Sequence, residues 1–155
     1  MAACGRVLAL PVFAEARHVV LYAAFENELD PSMIAERARA DGKSLYYPSG
    51  RNERPGFLGD GPRCGLPGDM DDVVVFVPGV AFDVRGVRLG RGGGWYDRAL
   101  ATCPAATRLG LGYDFQVLEQ LPEDPWDVRM HAIVTDTRLL GGCTPGSRAM
   151  KENPS

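Results

Sequence analysis

Residues 73–77 read Val-Val-Val-Phe-Val, set between two aspartates and a Pro-Gly pair. A run of β-branched and aromatic residues with no polar alternation has no face to offer to water, so it fits a strand covered on both sides. Such a strand belongs at the centre of a sheet with helices packed above and below it.

The segments before it supply the neighbours. His18–Phe25 is a second apolar run of strand length, followed by the acidic, loop-like ENELDP. Pro31 suits the first turn of a helix in which Met33, Ile34 and Ala38 share one face, and Gly42 is a natural stop. Ser44–Pro48 reads as another strand, which completes a βαβ unit and makes the sheet parallel. Beyond the central strand the spacing predicts a turn at Asp83–Gly86 and an extended piece at Val87–Leu89. A helix is expected at Trp95–Cys103, a strand at Arg108–Tyr113, a short helix at Gln116–Leu121, and a last strand with an extension at Ala132–Leu140. Ser49–Asp72 shows hardly any periodicity and is long for a loop in a compact domain, so it is a functional lid or the remnant of something larger. Residues 1–140 are expected to form a single α/β domain, and 141–155, without apolar pattern, a disordered tail.

Composition excludes several function classes. With 155 residues, 45% of them hydrophobic, the chain can bury a core without disulfide or metal staples. Lys and Arg number 17 against 20 Asp and Glu, a net charge of −3, so no global basic field attracts nucleic acid or an anionic membrane. No apolar run approaches a membrane span, and the N-terminus lacks the pattern of a secretory signal, so a cytoplasmic location is expected. Cys4, Cys64, Cys103 and Cys143 are irregularly spaced, form no CxxC pair and read as free thiols.

The chemistry is concentrated in RLGRGGGWY, residues 88–96. Gly90, Gly92, Gly93 and Gly94 let backbone amides converge on a phosphate, and the start of the following helix adds its own free amides. Arg88 and Arg91 would add charge-assisted hydrogen bonds, and Asp97 is a hard oxygen ligand suited to Mg²⁺. The pattern is neither a Walker A loop, because no Lys-Ser or Lys-Thr follows, nor a dinucleotide GxGxxG, because Trp95 stands at its last glycine. A glycine-rich bend that merely turns the chain is the bland alternative, weakened by the adjacent arginines.

The stretch VFVPGVAFDVRGVRLGRGGGWYDRAL closely resembles the signature of the 5-formyltetrahydrofolate cyclo-ligase (methenyltetrahydrofolate synthetase) family, VPGxAFDxxGxRLGRGGGYYDR. The resemblance runs from Val7 to Asp136, except for the loop Ser49–Asp69. It implies a three-layer α/β fold of the NagB/RpiA/CoA-transferase-like type, with a mostly parallel sheet flanked by helices. The implied reaction is the ATP- and Mg²⁺-dependent cyclisation of 5-formyltetrahydrofolate to 5,10-methenyltetrahydrofolate: ATP phosphorylates the formyl oxygen, N10 attacks that carbon, and phosphate leaves. Such chemistry asks for positioning and charge neutralisation and no protein nucleophile.

Carried over by position, the resemblance implies that Arg88, Leu89, Gly90, Arg91, Gly92, Gly93, Gly94, Trp95 and Tyr96 hold ATP, with Arg91 to Trp95 also bordering the formyl-folate. Arg91, Tyr96 and Asp97 are the implied catalytic residues, and Asp97 the Mg²⁺ ligand. Phe25 would pack on the pterin unless it is ordinary core, and Glu28 or Asp30 would accept hydrogen bonds from the ring nitrogens unless both lie in a solvated loop. A small-molecule substrate is the implied partner, with monomer or homodimer left open.

Three departures from the family pattern stand out. The chain is expected to start where a basic N-terminal helix has already ended, leaving only Arg6 and Arg17 there. His131 stands where the family often has a second Mg²⁺-ligating Asp and is the candidate for the second metal position; imidazole suits Mg²⁺ poorly and a softer metal better, and Asp127 and Asp136 are nearby carboxylates that could take its place. The middle is shortened, with GLPGD in place of the family's usual ending and a strand pair expected to be missing. These departures set an active cyclo-ligase against two alternatives: an impaired relative that binds nucleotide, phosphate or folate, and other chemistry on a related scaffold.

Overall fold

The computed structural model describes residues 2–50, 55–59, 66–68 and 70–141. Cys64, Cys143 and the tail read as disordered beyond Gly141 lie outside the described residues. In chain order the elements are helices α1 (Ala2–Leu8) and α2 (Pro11–Glu15), strand β1 (His18–Val20), helix α3 (Ser32–Ala40), and strands β2 (Ser44–Ser49), β3 (Gly56–Gly59), β4 (Val73–Val77), β5 (Ala81–Asp83) and β6 (Arg88–Leu89). Helix α4 (Trp95–Ala101) and strands β7 (Thr107–Leu111), β8 (Val117–Leu118), β9 (Ala132–Val134) and β10 (Leu139–Gly141) complete the fold.

β4 lies fourth in a seven-stranded sheet of order β10-β9-β7-β4-β1-β2-β3, and every one of its residues is buried. The inner strands β9, β7, β4, β1 and β2 are parallel, with β10 and β3 antiparallel at the edges. Successive β4 side chains alternate between two cores, as the pleat requires. Val74 and Phe76 pack with Val7 of α1, Phe13 of α2, and Ile34 and Ala38 of α3. Val73, Val75 and Val77 pack on the other face with Ala99 and Leu100 of α4, Phe82 and Ile133. Helices, sheet, and a layer of α4 with a small second sheet β6-β5-β8 therefore form three layers, the mostly parallel α/β architecture expected.

Several local expectations change. Met33 is exposed, and the buried face of α3 is Ile34, Ala35 and Ala38. The final strand is a hairpin because the buried Thr135 hydroxyl accepts the amides of Thr137 and Arg138, turning the chain between β9 and β10. Gln116–Leu121 is not a helix: a 3₁₀ turn at Asp114–Gln116 leads into β8, held by the Gln116 amide donating to the carbonyls of Gly79 and Val80. The supposedly featureless middle contains β3, antiparallel to β2, so strand pairing is retained there. Residues 2–8 are helical, and Arg6 of that helix donates to the carbonyls of Thr135 and Asp136.

Phe82, fully buried, explains three glycines. A Cβ on Gly79, Gly110 or Gly112 would lie 3.0, 2.7 or 3.1 Å from its ring, so the side chain occupies space that only glycine leaves open. The ring thus wedges the small sheet against β7. Gly110→Ala is expected to destabilise the protein by about 2 kcal/mol through overpacking; urea unfolding checks this, and an unchanged midpoint would show that the ring has room to move.

Candidate active site

The parallel strands run toward one end of the sheet. After β1 the chain crosses over through α3 to the parallel strand β2 on one side, whereas β4 and β7 lie on the other side of β1. The gap between the carboxyl ends of β1 and β4 is therefore a topological switch point, where open α/β sheets bind ligands. The Phe25–Asp30 turn follows β1, Pro78–Gly79 follows β4, and the loop between β6 and α4 completes the site.

In that loop Gly92, Gly93 and Gly94 all have left-handed backbone, with φ of 95°, 84° and 68°. Residues with a Cβ pay for this conformation, which is why the loop is glycine. Gly94 caps α4, and Arg98 reaches back to donate to the Gly93 carbonyl at 2.7 Å. Since α4 is only 7 residues long, the anion-binding capacity rests on the loop amides and the arginines more than on a helix dipole.

The glycine loop separates two cavities. The larger, about 670 Å³, is lined by the whole run Arg88–Trp95 together with Asp97, Arg98, Ala101, Pro122, Asp124, Trp126 and Asp127. The smaller, about 270 Å³, is lined by Glu28, Pro48, Pro78, Gly79, Val80 and Tyr96, and shares Arg88, Gly90, Arg91, Gly92 and Trp95 with the first.

Two cations, Arg88 and Arg91, are common to both, and Arg88 is the more buried. Its Nε donates to the Pro78 carbonyl and its guanidinium lies 4.8 Å from the centre of the Tyr96 ring. Burial lowers its pKa, opposed by Tyr96, Asp97, Glu28 and Asp127, and a guanidinium stays charged through such a shift. Burial also raises the Tyr96 phenol, with Arg88 opposing, so Tyr96 is a neutral hydrogen-bonding group at neutral pH. Trp95 meets Phe57 and Tyr96 edge-on.

The turn after β1 is closed by Phe25 N–H donating to Glu28 Oε1 and Glu28 N–H donating to the Phe25 carbonyl, with Glu26 at φ 53° between them. Tyr22 fixes it from beneath, its hydroxyl donating to the Leu29 carbonyl at 2.6 Å. Arg91 bridges turn and loop: its guanidinium covers the Phe25 ring at 5.0 Å and its Nε lies 3.9 Å from Glu28 Oε2. Phe25 is 56% exposed, so the core-packing alternative is overturned. Of the two carboxylates, Glu28 lines the smaller cavity, whereas Asp30 lines neither and accepts the Ser32 N–H at the start of α3.

A similar division separates the metal candidates. Asp97 Oδ1 accepts the Val128 N–H, and Asp97 and Asp127 line the larger cavity. Asp136 accepts the Asp114 N–H outside it, and His131 Nδ1 accepts the Arg108 N–H at the start of the β7–β9 pairing, so neither reaches the loop. Hard oxygen donors beside a phosphate cradle fit Mg²⁺, which needs only one or two carboxylates when phosphates complete its shell. Among the described residues no group of three or more His, Cys, Asp or Glu forms a self-sufficient metal cage.

Sequence reasoning passed over the support behind this acidic wall. Asp83 is fully buried, and its carboxylate accepts the amides of Arg85, Val87 and Leu121 plus two guanidinium bonds from Arg85. Burial pushes its pKa up, and those hydrogen bonds outweigh it, leaving the carboxyl below its ordinary value. Arg85 also donates to the Leu121 carbonyl, and Glu123 pairs with Arg129 at 2.7 Å. The segment from Leu121 to Val128 is thereby held at one end by Asp83 and at the other by Asp97. An Asp four residues before Val87 in a Gly-containing turn was the available signal, but its reach to Leu121 is a long-range contact that no local pattern records.

The model of the 5-formyltetrahydrofolate cyclo-ligase family matches residues 68–136, which contain the glycine loop and Asp83. The 5-formyltetrahydrofolate cyclo-ligase of Escherichia coli is 32% identical over 88% of this chain and 87% of that protein. This chain belongs to the 5-formyltetrahydrofolate cyclo-ligase family. The cyclo-ligase of Mycolicibacterium smegmatis is 39% identical over 72% of this chain and 63% of that protein. Among solved structures, the 5,10-methenyltetrahydrofolate synthetases of Aquifex aeolicus and Mycoplasma pneumoniae superpose with TM-scores of 0.74 and 0.72 at 29% and 26% identity. They cover 90% and 87% of this chain, and 79% and 83% of the respective structures. The cyclo-ligase family implies ATP use. Among the described residues no helix is long and apolar enough to cross a membrane.

Two substitutions separate the loop from its scaffold. A Cβ at Gly93 meets nothing within 4 Å, so Gly93→Ala is charged only for its backbone, about 1 kcal/mol; the KM for ATP is expected to rise while the fold survives, as steady-state kinetics and thermal melting will show. Asp83→Asn removes a charged acceptor and costs about 3 kcal/mol at neutral pH. Because the folded-state pKa is lowered, this contribution is complete above the ordinary carboxylate value and fades as pH falls through the folded value. Denaturation curves of the two proteins should therefore converge in acid, and a constant gap would refute the ionised-carboxylate account.

Proposed function

We propose that this chain is an ATP-dependent 5-formyltetrahydrofolate cyclo-ligase, forming 5,10-methenyltetrahydrofolate, ADP and phosphate within one α/β domain spanning residues 1–140. The observation that carries this reading is the pair of cavities sharing Arg88, Gly90, Arg91, Gly92 and Trp95. A phosphoryl donor in the larger and a formyl acceptor in the smaller would meet across the glycine loop.

The protein's part in such a transfer is positioning and electrostatic stabilisation. The left-handed amides of Gly92 to Gly94 cradle the transferring phosphoryl group, and Arg88 and Arg91 neutralise charge on its oxygens. Arg88 is fixed for this by Pro78 and Tyr96, and Arg91 by Phe25 and Glu28. Glu28 accepts hydrogen bonds from the pterin ring, and Phe25 offers an apolar face at the rim. Tyr96, kept neutral by burial, supplies a phenolic hydroxyl and no base. Asp97, with Asp127, would hold Mg²⁺, which supplies further neutralisation of the phosphate oxygens. Family membership and the intact loop favour turnover over the binding-only alternative.

Mixing the protein with 5-formyltetrahydrofolate, ATP and Mg²⁺ should generate the absorbance of methenyltetrahydrofolate, and omission of ATP or Mg²⁺ should abolish it. Asp97→Asn keeps an oxygen for Val128 N–H but loses the charge; kcat is expected to fall by about 100-fold or more with 5-formyltetrahydrofolate affinity retained. Equal turnover in both proteins would remove Asp97 from the metal site, and absence of turnover in the wild type would overturn the enzyme.

A further inference from the structure

The larger cavity contains one side chain that neither the sequence pattern nor the phosphate chemistry accounts for. Trp126 is 67% exposed and lines the cavity together with Pro122 and Ala101. Among the described residues its ring meets no other ring, in contrast to Trp95, which is packed against Phe57 and Tyr96. Leaving an indole this open forgoes a large burial gain.

The segment that presents Trp126 is tied down on both sides. Leu121 N–H donates to Asp83 at 2.9 Å and Val128 N–H to Asp97 at 3.0 Å. Between them Asp124 and Asp127 close a turn, Asp124 N–H donating to Asp127 Oδ2 and Asp127 N–H to the Asp124 carbonyl. Trp126 is thus an exposed aromatic face on a pre-formed support, opening into a cavity whose other wall is the glycine loop. A planar, weakly polar ligand portion attached to a phosphate chain satisfies both walls at once, and stacking on indole suits any nucleobase because every base has a π-face.

We infer that Trp126 is the stacking platform for the adenine of ATP, with the triphosphate directed at Arg88–Gly94. This rests on the reading of the larger cavity as the nucleotide site and adds the residue that recognises the base. It makes Trp126 a binding residue with no part in the chemistry at the phosphate.

The test is calorimetric titration of the wild type, Trp126→Ala and Trp126→Phe with ATP and, as a base-free probe, inorganic tripolyphosphate, all with Mg²⁺. Stacking worth 1–3 kcal/mol corresponds to a loss of about 5- to 150-fold in ATP affinity for Trp126→Ala. Tripolyphosphate affinity should stay unchanged, and Trp126→Phe should recover most of the loss. Wild-type ATP affinity in Trp126→Ala would overturn the platform and leave the nucleotide site standing. A parallel loss of ATP and tripolyphosphate would overturn it as well, by showing that Trp126 only maintains the loop. No ATP binding in the wild type would overturn both this assignment and the proposed enzyme.

Discussion

Burial of β4 on both faces governs the rest of this molecule. A strand with no polar side chain is stable only if every neighbour cooperates: parallel partners saturate its backbone, and apolar layers close over Val74 and Phe76 on one side and Val73, Val75 and Val77 on the other. Its carboxyl end has no such freedom to be covered. Pro78 ends the strand at the sheet's rim, and the Pro78 carbonyl, no longer needed by a ladder partner, accepts from Arg88. The apolar core thereby fixes the position of Arg88, one of the two guanidinium groups that face both cavities.

A second constraint is the buried charge of Asp83. An ionised carboxylate away from water is tolerated only when its lone pairs are filled, and here three amides and the Arg85 guanidinium fill them. Each of those donors belongs to a segment that must be held in place: the turn before β6, and the loop that carries Asp127 and Trp126. Stability and site geometry are coupled through this one group, while the glycine loop that lines both cavities contributes little to the core and is free to consist of glycine.

The sequence and the structure agree where the determinants are local or the pattern is strong. The VVVFV run, the βαβ unit through α3, and the switch from glycine loop to helix at Trp95 were legible because apolar period, capping and turn residues coincide. β3, β5 and β8 were not, since runs of 4, 3 and 2 residues have too little pattern and exist because partners are present. At the site, the glycines and arginines were legible by composition. The choices of Glu28 over Asp30, and of Asp127 over Asp136 and His131, depended on which side chains the fold turns toward the loop.

His131 illustrates why position in a motif does not transfer a role. An Asp there would be a hard ligand; the imidazole instead uses Nδ1 as an acceptor for Arg108 N–H, where His131 N–H in turn donates to the Arg108 carbonyl. That reciprocal pair satisfies the backbone of Arg108 before the ladder of β7 with β9 begins at Leu109 and Ala132. In the proposed reaction charge neutralisation then falls to the glycine amides, Arg88 and Arg91, with the cavity carboxylates Asp97 and Asp127 as the groups that would hold Mg²⁺. In a reaction that needs stabilisation of phosphoryl oxygens more than any single nucleophile, such redistribution keeps the chemistry available to a site whose individual ligands have changed.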